Sequence, residues 1–315
     1  MATLTDVAKK ANVSKMTVSR VLNHPEKVTD ELKELVFQAM KELNYRPNIA
    51  AKALANNRSQ VINFFILEEM DTTEPYFMSL LMGISRELDK HHYSLQLLTE
   101  NSIDTGQSDG LIITGMRKSD FLWIKDLDKP FILFGENKLG YDYVDTDNQK
   151  GVELSTEYVI SLGYEHIVFI GIDVDEPFEC SREKGYLKMM KKHHLEPVIY
   201  KFENCSRYAR CFIESNKGKF PKNTAFVCAS DRLAIGIERG LLSQDCIIPD
   251  DFGVIGYDGV FLDQVAYPRL STIKQPVLEM GQACASLLLD KINQRGEEQG
   301  FKIFEPTLIK RDSTR

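Results

Sequence analysis

Catalytic signatures are missing from this chain. It contains no G-x-G-x-x-G, no G-x-x-x-x-G-K-[ST], no H-E-x-x-H and no G-x-S-x-G, the spacings that cradle phosphates, hold zinc or expose a nucleophile. Histidine is scarce, and His91-His92 and His193-His194 are adjacent pairs, which point apart on a helix and hold a metal poorly. No catalytic residue, metal site or cofactor is therefore expected. Cysteine is present but unpatterned. Cys180, Cys205, Cys211, Cys228, Cys246 and Cys284 form no C-x-x-C pair, which excludes the usual zinc and dithiol motifs and leaves reduced thiols, some of them core residues. Long apolar runs are absent too, with nothing near the eighteen residues a membrane helix needs. The start, TLTDVAKKANVS, lacks the basic flank and short apolar core of a secretory signal. The expectation is a cytoplasmic protein with no membrane partner.

What is present is a globular composition, 43% hydrophobic and 27% charged over 315 residues, enough for two or three folded units. Charge is divided unevenly. Residues 1–58 hold ten Lys or Arg against six Asp or Glu, leaving 29 against 40 in the remainder, so a head of +4 precedes a body of −11. A basic head on an acidic body points to a polyanionic partner for the head alone.

The head reads as three short helices. Thr3 with Asp6 resembles a capping box, and Leu4, Val7, Ala8 and Ala11 share one face. Asn12 tolerates the left-handed backbone of a tight turn, and Val13 plugs the corner. Ser14 then caps a second helix whose inward face is Val18, Val21 and Leu22. Its outward set, Lys15, Met16, Thr17, Ser19, Arg20 and Asn23, is polar and basic, as a helix entering the major groove requires. His24-Pro25 ends that helix. A third begins after Thr29, with Asp30 and Glu31 favoured by its dipole and a buried stripe of Leu32, Leu35, Val36, Ala39, Met40 and Leu43.

The string TLTDVAKKANVSKMTVSRVLNHPEKVT followed by AMKELNYRPNIAAKALA resembles the head of the LacI/GalR repressors over nearly sixty ungapped residues. One departure is Asn12, where the family usually has Gly; both serve the same turn. The resemblance implies that Lys15, Met16 and Arg20 face the major groove, with Leu4, Ser14, Thr17, Ser19, Asn23, Thr29 and Tyr45 completing the DNA surface. Residues 48–58 form an alanine-rich helix too short to stand alone. In the family this hinge pairs with its dimer mate in the minor groove, where Asn48, Ala51 and Leu54 are the matching positions and Leu54 is the wedge.

From Val61 onward, apolar strands alternate with amphipathic helices, the signature of doubly wound α/β domains. INFFILEE, YSLQLLTE, GLIITG and PFILFGE make one series; HIVFIGI, EPVIYKF, TAFVCAS and FGVIGYDG make another. Helices are expected between them, one carrying Phe77, Leu80, Leu81, Ile84 and Leu88, others over 181–193 and 233–243. Ligands of such sheets lie beyond the carboxyl ends of the strands, here in a cleft between two halves. DTDNQKG, ISLGYEHIVFIG, SREKGY, ASDRLAIG, VIGYDG and LSTIKQP resemble LacI/GalR sensor motifs in the family's order, and the sensor is itself similar to periplasmic sugar-binding proteins. The fold implied is an all-α helix-turn-helix head on a periplasmic-binding-protein-like α/β body of two doubly wound subdomains. The boundaries read as 1–47 for the DNA-binding domain and 48–58 for the hinge. They are 60–162 plus 275–304 for one effector subdomain, and 163–274 plus 305–315 for the other.

By the same resemblance Arg182, Ser230, Asp231 and Asp258 sit where the family binds polar groups of its effector, and Tyr76 and Phe77 match its aromatic pair. Carboxylates and a guanidinium serve several hydroxyls, while flat rings cover a sugar's apolar face. Two departures stand out: Ser230 replaces a family asparagine, and only about ten residues separate Leu98 from Asp109, too few for an ordinary crossover helix. This trimmed half and DTTEPYFMSLLMGISRELD look most like maltose or maltodextrin regulators of Gram-positive bacteria. The expected function is a regulator, in the repressor mould, of sugar-utilisation genes: a homodimer on double-stranded, pseudo-palindromic operator DNA with a sugar effector. The alternative is a catabolite-type regulator whose main effector is a protein, such as a phosphorylated carrier.

Overall fold

A computed structural model describes residues 2–23, 27–45, 58–67, 75–99, 106–117 and 120–315, in two units, Met1–Ser59 and Gln60–Arg315. The first unit contains α1 (Leu4–Lys10), α2 (Lys15–Asn23) and α3 (Asp30–Glu42). The capping box at Thr3 and Asp6 is closed in both directions, satisfying orphan N–H groups at the start of α1. Asn12 adopts φ 53°, the left-handed turn that separates α1 from α2. Ser14 Oγ accepts the Thr17 N–H at 3.0 Å and so caps α2. Val7, Ala8, Ala11, Val18, Val21, Val36 and Ala39 form the core, flanked by Leu4, Val13, Leu22 and Tyr45. The expected α3 stripe is narrower than the sequence implies: Leu35 is 52% exposed. It lies at the edge of the apolar face, beyond what two helices of seven and nine residues cover.

In the second unit two six-stranded sheets are built by the same plan. The first has the order β11-β5-β4-β3-β1-β2, with all its pairs parallel. Its members are β1 (Val61–Ile66), β2 (Ser94–Thr99), β3 (Gly110–Thr114), β4 (Phe131–Phe134), β5 (Tyr143–Thr146) and β11 (Phe301–Phe304). The second has the order β12-β10-β9-β8-β6-β7. It comprises β6 (His166–Ile172), β7 (Val198–Phe202), β8 (Thr224–Cys228), β9 (Phe252–Asp258), β10 (Ser271–Lys274) and β12 (Thr307–Ile309). Only β12 runs antiparallel to its neighbour. The central strands β3, β4 and β8 are buried throughout, as strands covered on both faces must be.

Helices α4 (Pro75–Lys90) and α11 (Val277–Asn293) cover the first sheet, packing Leu80, Ile84 and Leu88 against Met280, Cys284 and Leu288. They cross closely because both carry glycine: a Cβ on Gly83 would stand 2.1 Å from the Leu278 carbonyl oxygen. Its other face is closed by the short α5 (Phe121–Ile124), where Trp123 meets Phe65 edge-on at 5.5 Å. α7 (Pro177–Lys192), α8 (Ser206–Ser215), α9 (Asp231–Leu242) and α10 (Leu262–Val265) belong to the second sheet. The described part of the link from β2 to β3, residues 106–109, contains no helix, in line with the trimmed crossover the sequence implies.

The chain passes between the lobes three times, after β5, after β10 and between β11 and β12. From the sequence, residues as far as 162 are expected in the first subdomain, whereas α6 (Asn148–Ser161) sends Val152 and Val159 into the second core. A helix that follows a strand usually returns to its own sheet. This one packs on the other, where Gly151 lets the Tyr257 ring approach to 2.7 Å from where a Cβ would stand and Gly185 of α7 lets the Gln149 carbonyl approach to 2.4 Å.

Candidate functional site

Between the two lobes lies a cavity of about 520 Å³ lined by the loops that follow β3, β4, β6, β7 and β9. That is the carboxyl edge where parallel sheets place their ligands. Its size falls within the ~300–1,000 Å³ typical of small-molecule sites.

Arg182, on the second turn of α7, is buried at the floor. Its Nε donates to Asn148 Oδ1 at 2.9 Å and its Nη1 to the Ala229 carbonyl at 2.7 Å. The guanidinium lies 3.9 Å from the centre of the Tyr257 ring and 5.0 Å from that of Phe178, so its plane is fixed by stacking as well as by hydrogen bonds. Asn148 in turn donates through Nδ2 to Asp145 Oδ2 at 3.1 Å. A continuous polar chain thus runs from the end of β5 in the first lobe to α7 in the second. Asp145 also accepts the Glu136 N–H at 2.7 Å. Burial pushes its carboxyl up to about 6, against the hydrogen bonds it receives.

Asp258 ends β9 at φ 125°, a conformation costly for any residue but glycine and found where function holds it. Its Oδ1 accepts from Gln275 Nε2 at 2.9 Å, and its own carbonyl accepts the Gln275 N–H. Ser230 caps α9 by accepting the Leu233 N–H at 3.2 Å and donates to Asn204 Oδ1 at 2.6 Å. Tyr76 and Phe77, in the first turn of α4, meet edge-on at 5.7 Å, and Tyr76 meets Phe134 at 6.2 Å. At the mouth, Ser181 Oγ donates to Glu136 Oε1 at 2.5 Å, joining the two lobes directly.

Five of the six expected effector residues, Tyr76, Phe77, Arg182, Ser230 and Asp258, line this cavity, and Asp231 does not. Asp231 is buried behind it, accepting the Gly259 N–H at 2.9 Å and the Thr272 hydroxyl at 2.6 Å. One oxygen thus holds the turn that follows Asp258, and the other ties the start of α9 to β10. Burial, with the neighbouring Asp258 charge, raises its carboxyl well above the usual range. Sequence reasoning missed Glu136, Asp145, Asn148, Asn204 and Gln275. Asp145, Asn148 and Gln275 do lie within segments already singled out, DTDNQKG and LSTIKQP, as polar residues where an apolar strand ends.

In the head, Lys15, Met16 and Arg20 are exposed on one side of α2, Met16 at 71%. Such exposure of a methionine beside two cations suits a partner surface rather than a core. Thr17 and Ser19 are half-buried, Leu4 and Tyr45 pack on the core, and Thr29 makes no side-chain cap bond. Asn48, Ala51 and Leu54, and with them hinge residues 48–57, lie outside the described residues, as does the Asn23 side chain. Among the described residues no helix is long and apolar enough to cross a membrane.

Residues 3–48 match the family described as bacterial regulatory proteins, lacI family, and residues 156–314 match the periplasmic binding protein-like domain. The chain is 56% identical, over 315 residues and the full length of both, to an uncharacterized HTH-type transcriptional regulator, YvdE, of Bacillus subtilis strain 168. The solved complex of the transcriptional regulator CelR with cellobiose superposes with a TM-score of 0.76 at 24% identity, covering 99% of this chain and 100% of that one. The lac repressor dimer bound to operator and the anti-inducer ONPF gives 0.74 at 23%, covering 99% of each. A full-length relative at this identity, a matched head and a matched sensor together make the chain a member of the LacI family of bacterial transcription regulators.

Proposed function

We propose that this regulator is a repressor of sugar-utilisation genes that binds a pseudo-palindromic operator as a homodimer and responds to a sugar in the interlobe cleft. The observation that carries the reading is the pairing, across one cavity, of edge-on aromatic rings from the first lobe with a fixed arginine, serine and aspartate from the second. Rings cover the apolar face of a pyranose, and the polar groups serve its hydroxyls. A similar regulator was solved with cellobiose, and the trimmed first lobe supports maltose or maltodextrin as the first ligands to try. On DNA, Lys15 and Met16 read base edges from the first turn of α2, Arg20 holds phosphate and Leu54 wedges the minor groove.

The test is a thermal-unfolding screen of mono-, di- and oligosaccharides, followed by operator titration with each sugar that stabilises the protein. A sugar at a hundredfold excess over its Kd should raise stability by about 2.7 kcal/mol and change operator affinity. No sugar doing both would overturn the reading. Two-fold symmetry of the paired heads requires a dimer, so sedimentation showing only monomer on operator DNA would contradict that part.

A further inference from the structure

The charge around the cavity is lopsided. From the first lobe come Glu136 and the buried Asp145; from the second, Asp258 at the end of β9. The loop after β6 adds Asp173, Asp175 and Glu176, and that after β7 adds Glu203. Against these seven carboxylates stand three cations, Arg117, Lys138 and Arg182. Arg117 and Lys138 are exposed, as are Asp173, Asp175 and Glu203, and solvent screens all five. Deeper, the half-buried Glu136, Glu176 and Asp258 and the buried Asp145 outnumber Arg182, the one buried cation of the lining, two of whose five N–H groups are given to Asn148 and Ala229. The N-terminus of α7, which opens on the cavity at Pro177, is a position that would ordinarily attract a phosphate. Here Asp175 and Glu176 precede it, and Glu179 is buried in its first turn with Oε1 on the Ile172 N–H.

A cleft whose lining carries an excess of one sign of charge focuses that field on whatever enters. We infer that this cleft, read as a sugar site, selects an uncharged ligand and turns away sugar phosphates and sugar acids. An anionic sugar would bring its charge against seven carboxylates, with Arg182 as the one buried cation of the lining to offset them. A neutral sugar loses nothing in that field, and its hydroxyls find acceptors in Glu136, Asp145 and Asp258.

Two measurements on the full-length protein test this. The first is calorimetric titration with matched probes: glucose and maltose against glucose 6-phosphate and glucuronate. Binding confined to the neutral members is expected. An anionic member binding as tightly as its neutral counterpart would overturn the inference while leaving the sugar reading intact. The second needs no ligand. Cys180 lines the cavity and is half-buried, whereas Cys228 and Cys284 are buried. In a Cys205→Ser/Cys211→Ser/Cys246→Ser protein, Cys180 is titrated with two methanethiosulfonates of similar size, one carrying trimethylammonium and one sulfonate. The reference is the same pair on a protein retaining the exposed Cys211 instead. The cleft thiol should favour the cation by roughly tenfold more than Cys211 does, and the preference should shrink in Glu136→Gln and at high salt. Equal ratios at the two cysteines, or faster reaction with the anion, would overturn it. Cation preference with no sugar bound would retain the charge inference and remove the sugar reading.

Discussion

The first lobe meets the cleft with the rings of Tyr76, Phe77 and Phe134, which touch one another and the apolar core beneath them. The second meets it with Arg182, Ser230 and Asp258, each hydrogen-bonded within the protein. Apolar contact tolerates small shifts, whereas a hydrogen bond to a fixed group demands geometry. The lobes also differ in what they bury. The first places Asp142 against Lys291 at 2.6 Å. The second buries Glu179 and Glu238, each with a carboxylate oxygen lacking a partner, besides the Asp263–Arg311 ion pair. On the proposed reading this is a division of labour: the fixed polar groups, chiefly those of the second lobe, set ligand orientation, and the rings of the first are the cover.

That contrast can be broken most severely at Arg182. Arg182→Met removes the guanidinium between Asn148, Ala229 and Tyr257. Stability should fall by roughly 3–5 kcal/mol, as it does when one partner of a buried charge network is lost, and the sugar response with it. Chemical denaturation and calorimetry measure the two losses; an unchanged midpoint would show the arginine to be peripheral. Next comes Asp258→Ala. It lines the cavity and accepts from Gln275, and one charge-assisted bond from its carboxylate to a ligand hydroxyl is worth roughly 1.5–3 kcal/mol, or about ten- to a hundredfold in affinity. Operator affinity without sugar should stay within twofold. The neighbouring Asp231→Ala should do the reverse, lowering the melting temperature because it strands the Gly259 N–H and the Thr272 hydroxyl.

The buried glutamates sharpen the comparison through pH. Glu238 is raised to about 8, first by burial, so its neutral form is favoured in the folded protein. Its contribution to stability is complete below its ordinary value near 4.5 and is lost as pH rises through about 8. Glu238→Gln should flatten the decline between pH 5 and pH 9 and be more stable than wild type by about 1–2 kcal/mol at the alkaline end. Parallel melting curves for the two proteins across that range would reject the assignment. The smallest effect belongs to the cover: Tyr76→Ala should weaken the sugar by about 0.5–1.5 kcal/mol, less than either loss in the second lobe. A larger effect than Asp258→Ala gives would invert the division of labour.

Much of this was legible before the coordinates. Strands such as HIVFIGI and TAFVCAS are apolar runs of strand length between turn-formers, and they form at those places as β6 and β8. The capped turn of the head follows from Thr3, Asp6, Asn12 and Ser14 alone. Arg182 and Asp258 were found through a motif, and the cavity contains them. What failed shares a cause: period and motif say that a residue is on an element, not which neighbour it meets. Asp231 opens a helix beside the cavity, as a ligand residue would, yet accepts from Gly259 and Thr272. α6 buries a face that is mostly small and polar, Asn148, Gly151, Ser155 and Thr156 beside Val152 and Val159, and its close contacts with Tyr257 at Gly151 and with Gly185 of α7 are not written in its periodicity. Asn148 and Gln275 became visible only when Arg182 and Asp258 acquired partners.

The central claim is that sugar in the cleft and operator on the head are linked through one protein. Operator affinity, measured by fluorescence anisotropy of a labelled duplex at fixed salt, tests it directly with and without a saturating neutral sugar, in wild type and in Asp258→Ala. The account expects the sugar to shift wild-type affinity at least fivefold, a coupling of about 1 kcal/mol or more. At the same sugar concentration the variant should shift far less. A sugar that binds the cleft by calorimetry and leaves operator affinity unchanged would contradict it.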